Sequence, residues 1–264
     1  MNDLIDKTTD VLIDVCYRDY AETARPKAYL VVGQPGAGKT QIIREICKEK
    51  DIAYINGDGF RKFYPEYHEL YRKHGDELVN ITKGFSGAIT ERLIEKLSDK
   101  RLDLIIEGTL RTTDVPEKTR ALLSQKGYKT ELDLIVVKPE ISWLRTRRRY
   151  EEMKKEGMTP RMTPKDHHDK VVKSLLSNLK ALYQSKKFDE IKLYQQKEGV
   201  LTVIYSMEKT PETDPSMIVE KEFQRKYTTK EIPQIKDEFK NYISEDELND
   251  LFEGKAGETT ESEI

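Results

Sequence analysis

The chain is poor in the residues that staple or clamp small folds. Its 264 residues include only two cysteines, four histidines and one tryptophan. Cys16 and Cys47 cannot build a disulfide framework, and no Cys/His spacing suits a zinc site. Both cysteines fall in helical patterns, so buried, reduced thiols in a cytoplasmic protein are expected. Long hydrophobic runs are missing, which excludes a membrane-spanning helix as a reading of the sequence. The start, Met1-Asn2-Asp3, lacks the basic, apolar and small-residue order of a signal peptide. Net charge is also nearly absent. Lys and Arg total 46 against 48 Asp and Glu, a balance of -2. That offers no whole-chain attraction for nucleic acid or an anionic membrane, so neither is an expected partner. Internal repeats are not evident, and the acidic end, Glu258 to Glu263, is the one biased segment.

What the chain does have is a regular alternation of short apolar runs and helical patterns. Residues 4–22 carry Leu4, Ile5, Val11, Leu12, Val15 and Cys16 at roughly helical spacing, ending before Pro26. Apolar runs at 28–32, 52–56, 102–106 and 131–137 read as strands, with shorter ones near 190–194 and 201–205. Helical patterns fall between them, at 41–50, 76–100, 116–125, 141–156 and 165–186. This order predicts an α/β fold with a parallel sheet covered by helices on both faces. Beyond Met207 the chain becomes highly charged with sparse apolar residues. The expected division is an α/β P-loop domain over 1–206 and a helical C-terminal extension over 207–264, frayed from Gly254 onward.

The most specific motif is Gly33-Gln34-Pro35-Gly36-Ala37-Gly38-Lys39-Thr40. It lies between an apolar run and a helical pattern, the strand-loop-helix setting of a P-loop. Its glycines let backbone N–H groups converge on phosphate oxygens at a helix N-terminus. Lys39 is placed to reach the β- and γ-phosphates, and the Thr40 hydroxyl to hold Mg²⁺.

In open sheets ligands bind beyond the strand C-termini, and two more polar clusters sit there. Asp58, between Gly57 and Gly59, is either a turn residue or a carboxylate that accepts a substrate proton or orients Mg²⁺. Glu107 occupies the end of the best apolar strand, where a Walker B motif would carry Asp. It takes a metal or substrate role, or caps the loop. Thr109 and Arg111 follow and suit a polar, phosphorylated substrate. Arg145, Arg147, Arg148 and Arg149 crowd one helix. Successive residues point about 100° apart, so only one or two can face a common site. Arg161, in the loop Pro160 to Pro164, suits a lid group. His167 and His168 lack metal spacing and read as packing or surface residues. Phe60, Phe63, Tyr64, Tyr67 and Tyr71 form either a substrate wall or, as their spacing favours, core packing.

With these residues assembled, the chain resembles the zeta toxin family, the kinase half of bacterial toxin–antitoxin pairs. It is more similar to the chromosomal pneumococcal type than to the plasmid type. The matching segments are 33–40, Ile-Asn-Gly-Asp-Gly-Phe at 55–60, Ile-Glu-Gly-Thr-Leu-Arg-Thr-Thr-Asp-Val-Pro at 106–116, Arg-Tyr-Glu-Glu at 149–152 and Arg-Met-Thr-Pro-Lys-Asp-His-His-Asp at 161–169. The resemblance spans roughly residues 25–205. It implies a kinase that uses ATP or GTP with Mg²⁺ to phosphorylate the 3′-hydroxyl of UDP-N-acetylglucosamine, poisoning peptidoglycan synthesis. It also implies a separate antitoxin chain that occludes the nucleotide site. By motif, Lys39 and Thr40 take the nucleotide phosphates and Mg²⁺, and Asp58 is the base. Glu91, Glu107, Thr109 and Arg111 bind substrate, and Arg149 and Arg161 stabilise the transferring phosphate. A kinase for another small hydroxyl compound and a non-catalytic nucleotide switch remain the alternatives.

Overall fold

The alternating runs assemble into one sheet in the computed structural model, which describes residues 1–48 and 51–257. Its strands are β1 (Lys27–Val32), β2 (Ala53–Ile55), β3 (Leu104–Glu107), β4 (Lys129–Ile135), β5 (Glu190–Lys197) and β6 (Val200–Ser206). They lie in the order β2-β3-β1-β4-β5-β6. The first five are parallel, as the sequence predicts. β6 instead returns antiparallel along β5. The reason is local: Glu198 and Gly199, the two residues between these strands, both adopt positive φ, as a tight hairpin requires.

The helices are α1 (Asn2–Cys16), α2 (Lys39–Ile46), α3 (Gly57–Phe60), α4 (Tyr67–His74), α5 (Leu78–Asp99), α6 (Asp114–Gln125), α7 (Pro139–Lys155), α8 (Lys165–Ser185), α9 (Pro215–Gln224), α10 (Glu231–Phe239) and α11 (Glu245–Phe252). Both sheet faces are apolar, with side chains alternating along each strand. Ala28, Leu30 and Val32 of β1 join Phe85, Ile89 and Leu93 of α5 and Leu175, Leu179 and Leu182 of α8. On the opposite face Val31, Ile105 and Ile135 pack beneath Ile42 and Ile43 of α2. Both faces are thus sealed around β1, whose C-terminal end launches the P-loop.

The C-terminal stretch is more integrated than its composition suggests. Val219 of α9 belongs to the same core as β1. Tyr227, Phe239, Ile243, Leu248 and Phe252 close a separate cluster around Leu144 of α7. Lys138, just before α7, is 4% exposed. Its ammonium donates to the carbonyls of Glu222, Phe223 and Arg225, capping the end of α9, and lies over the Tyr227 ring. The fraying expected from Gly254 does not hold for the described part. Tyr227 N–H donates to Lys255 O and Gly257 N–H to Tyr227 O, a short parallel bridge. Residues 258–264, including the acidic end, lie outside the described residues, as do the last two positions of the 41–50 helical pattern.

The cysteine expectation is corrected. Cys16 and Cys47 are both exposed. Each sits where its helix stops, Cys16 as the last residue of α1 and Cys47 at the C-cap of α2, beyond the packed face.

One core position carries a cost. Asp133 of β4 is fully buried, and its two carboxyl oxygens lack a partner at hydrogen-bond geometry among the described residues. Burial, and next the neighbouring Glu131 carboxylate, push its pKa well above the ordinary range. A raised carboxyl favours the fold while protonated, and that contribution fades as pH climbs through the folded-state pKa. Asp133→Asn is therefore expected to stabilise the protein at neutral pH by about 1–3 kcal/mol, with the gain shrinking toward pH 4. Thermal or urea unfolding of both proteins across this range checks the sign.

Candidate active site

The P-loop joins β1 to α2 through a path that only glycine tolerates at its tightest point. Gly36 has φ +78°, and a Cβ there would lie 2.0 Å from the Ser142 carbonyl oxygen. α7 therefore rests directly on the loop. Arg145 of α7 adds a bond from Nη1 to Ala37 O at 3.4 Å. Gln34, buried, donates through Nε2 to Val137 O at 2.8 Å and ties the loop to the end of β4. Ser142 is held from behind by the buried His168, whose Nε2 lies 2.8 Å from its Oγ. His168 Nδ1 is 3.0 Å from Asp169. This Ser-His-Asp geometry is closed to solvent at Ser142 and His168, so it packs α8 against α7.

Lys39, 9% exposed, folds back over the loop. Its ammonium donates to Gly33 O at 3.1 Å and Gln34 O at 3.4 Å, and stands 3.7 Å from Glu107 Oε1. Burial lowers its pKa, while the Glu107 charge acts in the opposite direction. Glu107 ends β3, paired in register with Val31. Its Oε2 accepts from Tyr54 and from Asn56 Nδ2, the latter at 3.0 Å. Burial, then the Glu107 charge, push the Tyr54 hydroxyl up, so it remains a donor.

Asn56 also builds the next piece. Its Oδ1 caps α3 by accepting Asp58 N–H at 3.0 Å. α5 passes so close that a Cβ at Gly57 would meet Thr90 Oγ1 at 3.0 Å. Asp58 thus projects from a tight turn with its side chain 59% exposed. Arg61 Nε donates to its Oδ1 at 3.0 Å, and Arg161 Nη1 lies 3.8 Å from its Oδ2. Burial by itself would raise the Asp58 pKa, but the charges of Arg161 and Arg61 outweigh it and hold the carboxyl below its usual range. Arg149 feels loss of solvent first and then the like charge of Arg161, which lower its pKa, while Asp58 and Glu107 act the other way.

Lys39, Asp58, Glu107, Arg149 and Arg161 are therefore brought into one electrostatic cluster. The clustered arginines sort by partner. Arg145 serves the P-loop, and Arg147 lies over Trp143. Arg148 turns away to Glu238 and Phe239 of α10. Arg149 faces the site and donates to Thr163 in the Arg161 loop. That loop also touches the opposite rim, through Thr159 with His68 and Met162 N–H with Asp76.

The loop after β3 is held in an uncommon shape. Leu110 is buried with φ +57°, and its carbonyl accepts from Asn178 at 3.0 Å. A leucine there, between Thr109 and Arg111, stores about 1–3 kcal/mol of strain. Arg111 lies close enough to His167 to depress it, after burial, and His167 also feels Asp58. Glu91 on α5 instead pairs at 3.7 Å with Lys118 of α6, both largely exposed. Of the five aromatics, Phe60 is buried and Tyr64 packs edge-on to Phe85. Tyr67 and Tyr71 line a cleft with Arg61 and Arg161, so neither single reading of the group holds.

Sequence reasoning missed Tyr54, Asn56, Arg61, Ser142 and His167. Asn56 carried a legible signal, a capping residue two positions before Asp58. Arg61 carried a weaker one, a cation one turn after it.

For Mg²⁺ the residues present are hard oxygen donors, and the Thr40 hydroxyl is exposed in the first turn of α2. Among the described residues no cluster of three or more metal-ligating side chains forms. The donor set fits a cation held largely by nucleotide phosphates and water, with one or two protein oxygens.

A sheet whose central strand launches a buttressed P-loop, with charged groups gathered at the neighbouring strand ends, defines a kinase-like nucleotide-binding fold. A family model described as "Zeta toxin" matches residues 12–210. The chain belongs to the zeta toxin family. It is 46% identical over 182 residues to Toxin PezT of Streptococcus pneumoniae, covering 68% of this chain and 72% of that relative. Toxin zeta of Streptococcus pyogenes is 41% identical over 210 residues, covering 78% and 72%. A solved structure described as the PezAT chromosomal toxin–antitoxin system of Streptococcus pneumoniae superposes with a TM-score of 0.80 at 33% identity. That match covers 95% of this chain and 97% of the other, so it takes in the C-terminal helices beyond the family model.

The Gly36 contact yields a direct expectation. Gly36→Ala places a methyl group against the Ser142 carbonyl at a disfavoured φ. ATP affinity is expected to fall by roughly 100-fold or more, while circular dichroism keeps its native form. Calorimetric titration with a non-hydrolysable ATP analogue measures it.

Proposed function

We propose that the protein is a kinase that transfers the γ-phosphoryl group of ATP or GTP to the 3′-hydroxyl of UDP-N-acetylglucosamine. The observation that carries the reading is the gathering of Lys39, Glu107, Asp58, Arg149 and Arg161 around one P-loop. A nucleotide switch needs the loop, but it does not need an ionised carboxylate facing two arginines across from it. The acceptor rests on the family resemblance, supported by the 46% identity to Toxin PezT. In the same reading the chain acts as a toxin, and a separate antitoxin silences it by covering the P-loop. The likeness to the PezAT toxin–antitoxin structure supports that partner.

In this reading the site residues divide the steps among them. Lys39 exchanges the carbonyls of Gly33 and Gln34 for the β- and γ-phosphates, and the loop N–H groups take the remaining oxygens. Thr40 and Asp58 are the protein groups that would hold Mg²⁺, which when bound would neutralise charge on the phosphate oxygens. Asp58, ionised at neutral pH, accepts the hydrogen bond of the acceptor hydroxyl and aligns it with the phosphorus, then receives its proton. Arg149 and Arg161 balance the charge moving between donor and acceptor. Glu107, Thr109 and Arg111 hold the acceptor, and Glu91 contributes from α5.

Incubation with labelled ATP and UDP-N-acetylglucosamine tests this directly. Label is expected in the nucleotide sugar, with the phosphate on the 3′-oxygen. Lys39→Ala is expected to lose nucleotide binding. Asp58→Asn is expected to bind ATP normally and lose turnover by roughly 10²–10⁴-fold. Transfer to a different hydroxyl compound, with none to this sugar, would replace the acceptor. Nucleotide binding without transfer to any acceptor would return the chain to the switch reading.

A further inference from the structure

Arg61 is the group in this site with no assigned task. Three residues beyond Asp58, it begins a short 3-10 turn over Arg61–Phe63. Its side chain is only 13% exposed, whereas Asp58 is 59% exposed. The guanidinium is anchored at both ends. Nη1 donates to Val79 O at 2.8 Å and to Thr82 Oγ1 at 3.1 Å, both in the first turns of α5. Thr82 is fully buried and spends its own proton on Leu78 O at 2.8 Å, so its oxygen is free to accept. From that fixed base Nε reaches Asp58 Oδ1 at 3.0 Å. Arg161, by contrast, comes from the loop between α7 and α8 and approaches Oδ2 at 3.8 Å. The two carboxylate oxygens therefore have different partners: one is held by a buried arm, the other faces a group on a loop.

We propose that Arg61 is the positioning residue for Asp58, fixing Oδ1 so that Oδ2 is presented to the acceptor hydroxyl. A planar guanidinium suits this because its fork fixes direction as well as charge, which an ammonium does not. The arrangement links the catalytic carboxylate to α5 instead of leaving it to the four-residue helix α3, too short to hold a side chain rigidly. Arg61 acts through Asp58 and touches no reacting atom. The inference rests on Asp58 being the acceptor-side carboxylate of the proposed kinase.

The charged and titratable groups facing Asp58 are Arg61 on its own segment, Arg161 on the loop, Arg149 on α7, Lys39 on α2, Tyr54 on β2 and His167 on α8. Removing Arg61 leaves Arg161 and Arg149 but takes away the group that fixes Oδ1.

The experiment pairs a substrate-free readout with kinetics. Crystal structures of wild type and Arg61→Gln are compared at Asp58. The carboxylate is expected to keep one orientation in wild type and to lose it in the variant. In the kinase assay kcat is expected to fall by roughly 10–100-fold at unchanged KM for ATP. Arg61→Lys separates position from charge: it keeps the positive charge while kcat remains low. Thr82→Val, which releases the anchor but keeps Arg61, lowers kcat in the same direction. An Asp58 carboxylate that keeps its orientation, together with wild-type kcat in a folded Arg61 variant, overturns the proposal. If Arg61→Gln fails to fold, Arg61→Lys decides, and wild-type kcat there is the contrary result. A displaced Asp58 carboxylate in a protein that transfers no phosphate to UDP-N-acetylglucosamine upholds the positioning role and overturns the acceptor instead.

Discussion

The contact between the Ser142 carbonyl and Gly36 is the constraint on which the rest of the site depends. It fixes the distance between α7 and the P-loop to a value that leaves no room for a side chain. Everything α7 carries is thereby referenced to the phosphate cradle. Arg145 reaches Ala37, and Arg149, one turn further on, faces Asp58 and Glu107. The opposite side of the same helix is clasped by the C-terminal helices through Leu144, Arg148 and the Lys138 cap. The C-terminal stretch brings no chemistry of its own to the strand ends. It holds the back of the helix that presents the arginines.

Charge balance gives the site its second organising feature. Lys39 and Glu107 face each other beside the P-loop, while Asp58 sits between Arg61 and Arg161. Each charge has a partner that can be exchanged for a phosphate oxygen or a substrate hydroxyl. Lys39 is bonded to carbonyls of its own loop, a state that nucleotide binding would replace. Arginines held beside a low-pKa carboxylate offer positive charge where negative charge would move. The loop carrying Arg161 touches both rims of the cleft.

The sequence made the strand ends legible because the signals are local. Glycine spacing, apolar alternation and the residues that stop each run all lie within a few positions of one another. They identified Lys39, Asp58 and Glu107 as neighbours before any coordinates. The family resemblance singled out Arg149 from its cluster; in the structure Arg149 faces Asp58 and Glu107, whereas Arg147 and Arg148 are turned to Trp143 and α10. Other features were illegible because they arise from distant segments. Nothing in the sequence places Ser142 over Gly36, Thr82 behind Arg61, or Tyr227 against Lys138. Helical periodicity implied buried cysteines, but both stand at helix ends where packing stops. The sparse apolar residues after 207 are far apart in sequence, and folding brings them together on Leu144.

The central claim is that the P-loop and Asp58 are the donor and acceptor halves of a single site. A bisubstrate compound joining adenosine polyphosphate to the 3′-oxygen of UDP-N-acetylglucosamine measures it most directly. The account predicts binding roughly 10²–10⁴-fold tighter than ATP or the sugar nucleotide alone, because the second half binds at high effective concentration. Affinity no greater than that of the ATP half would contradict it.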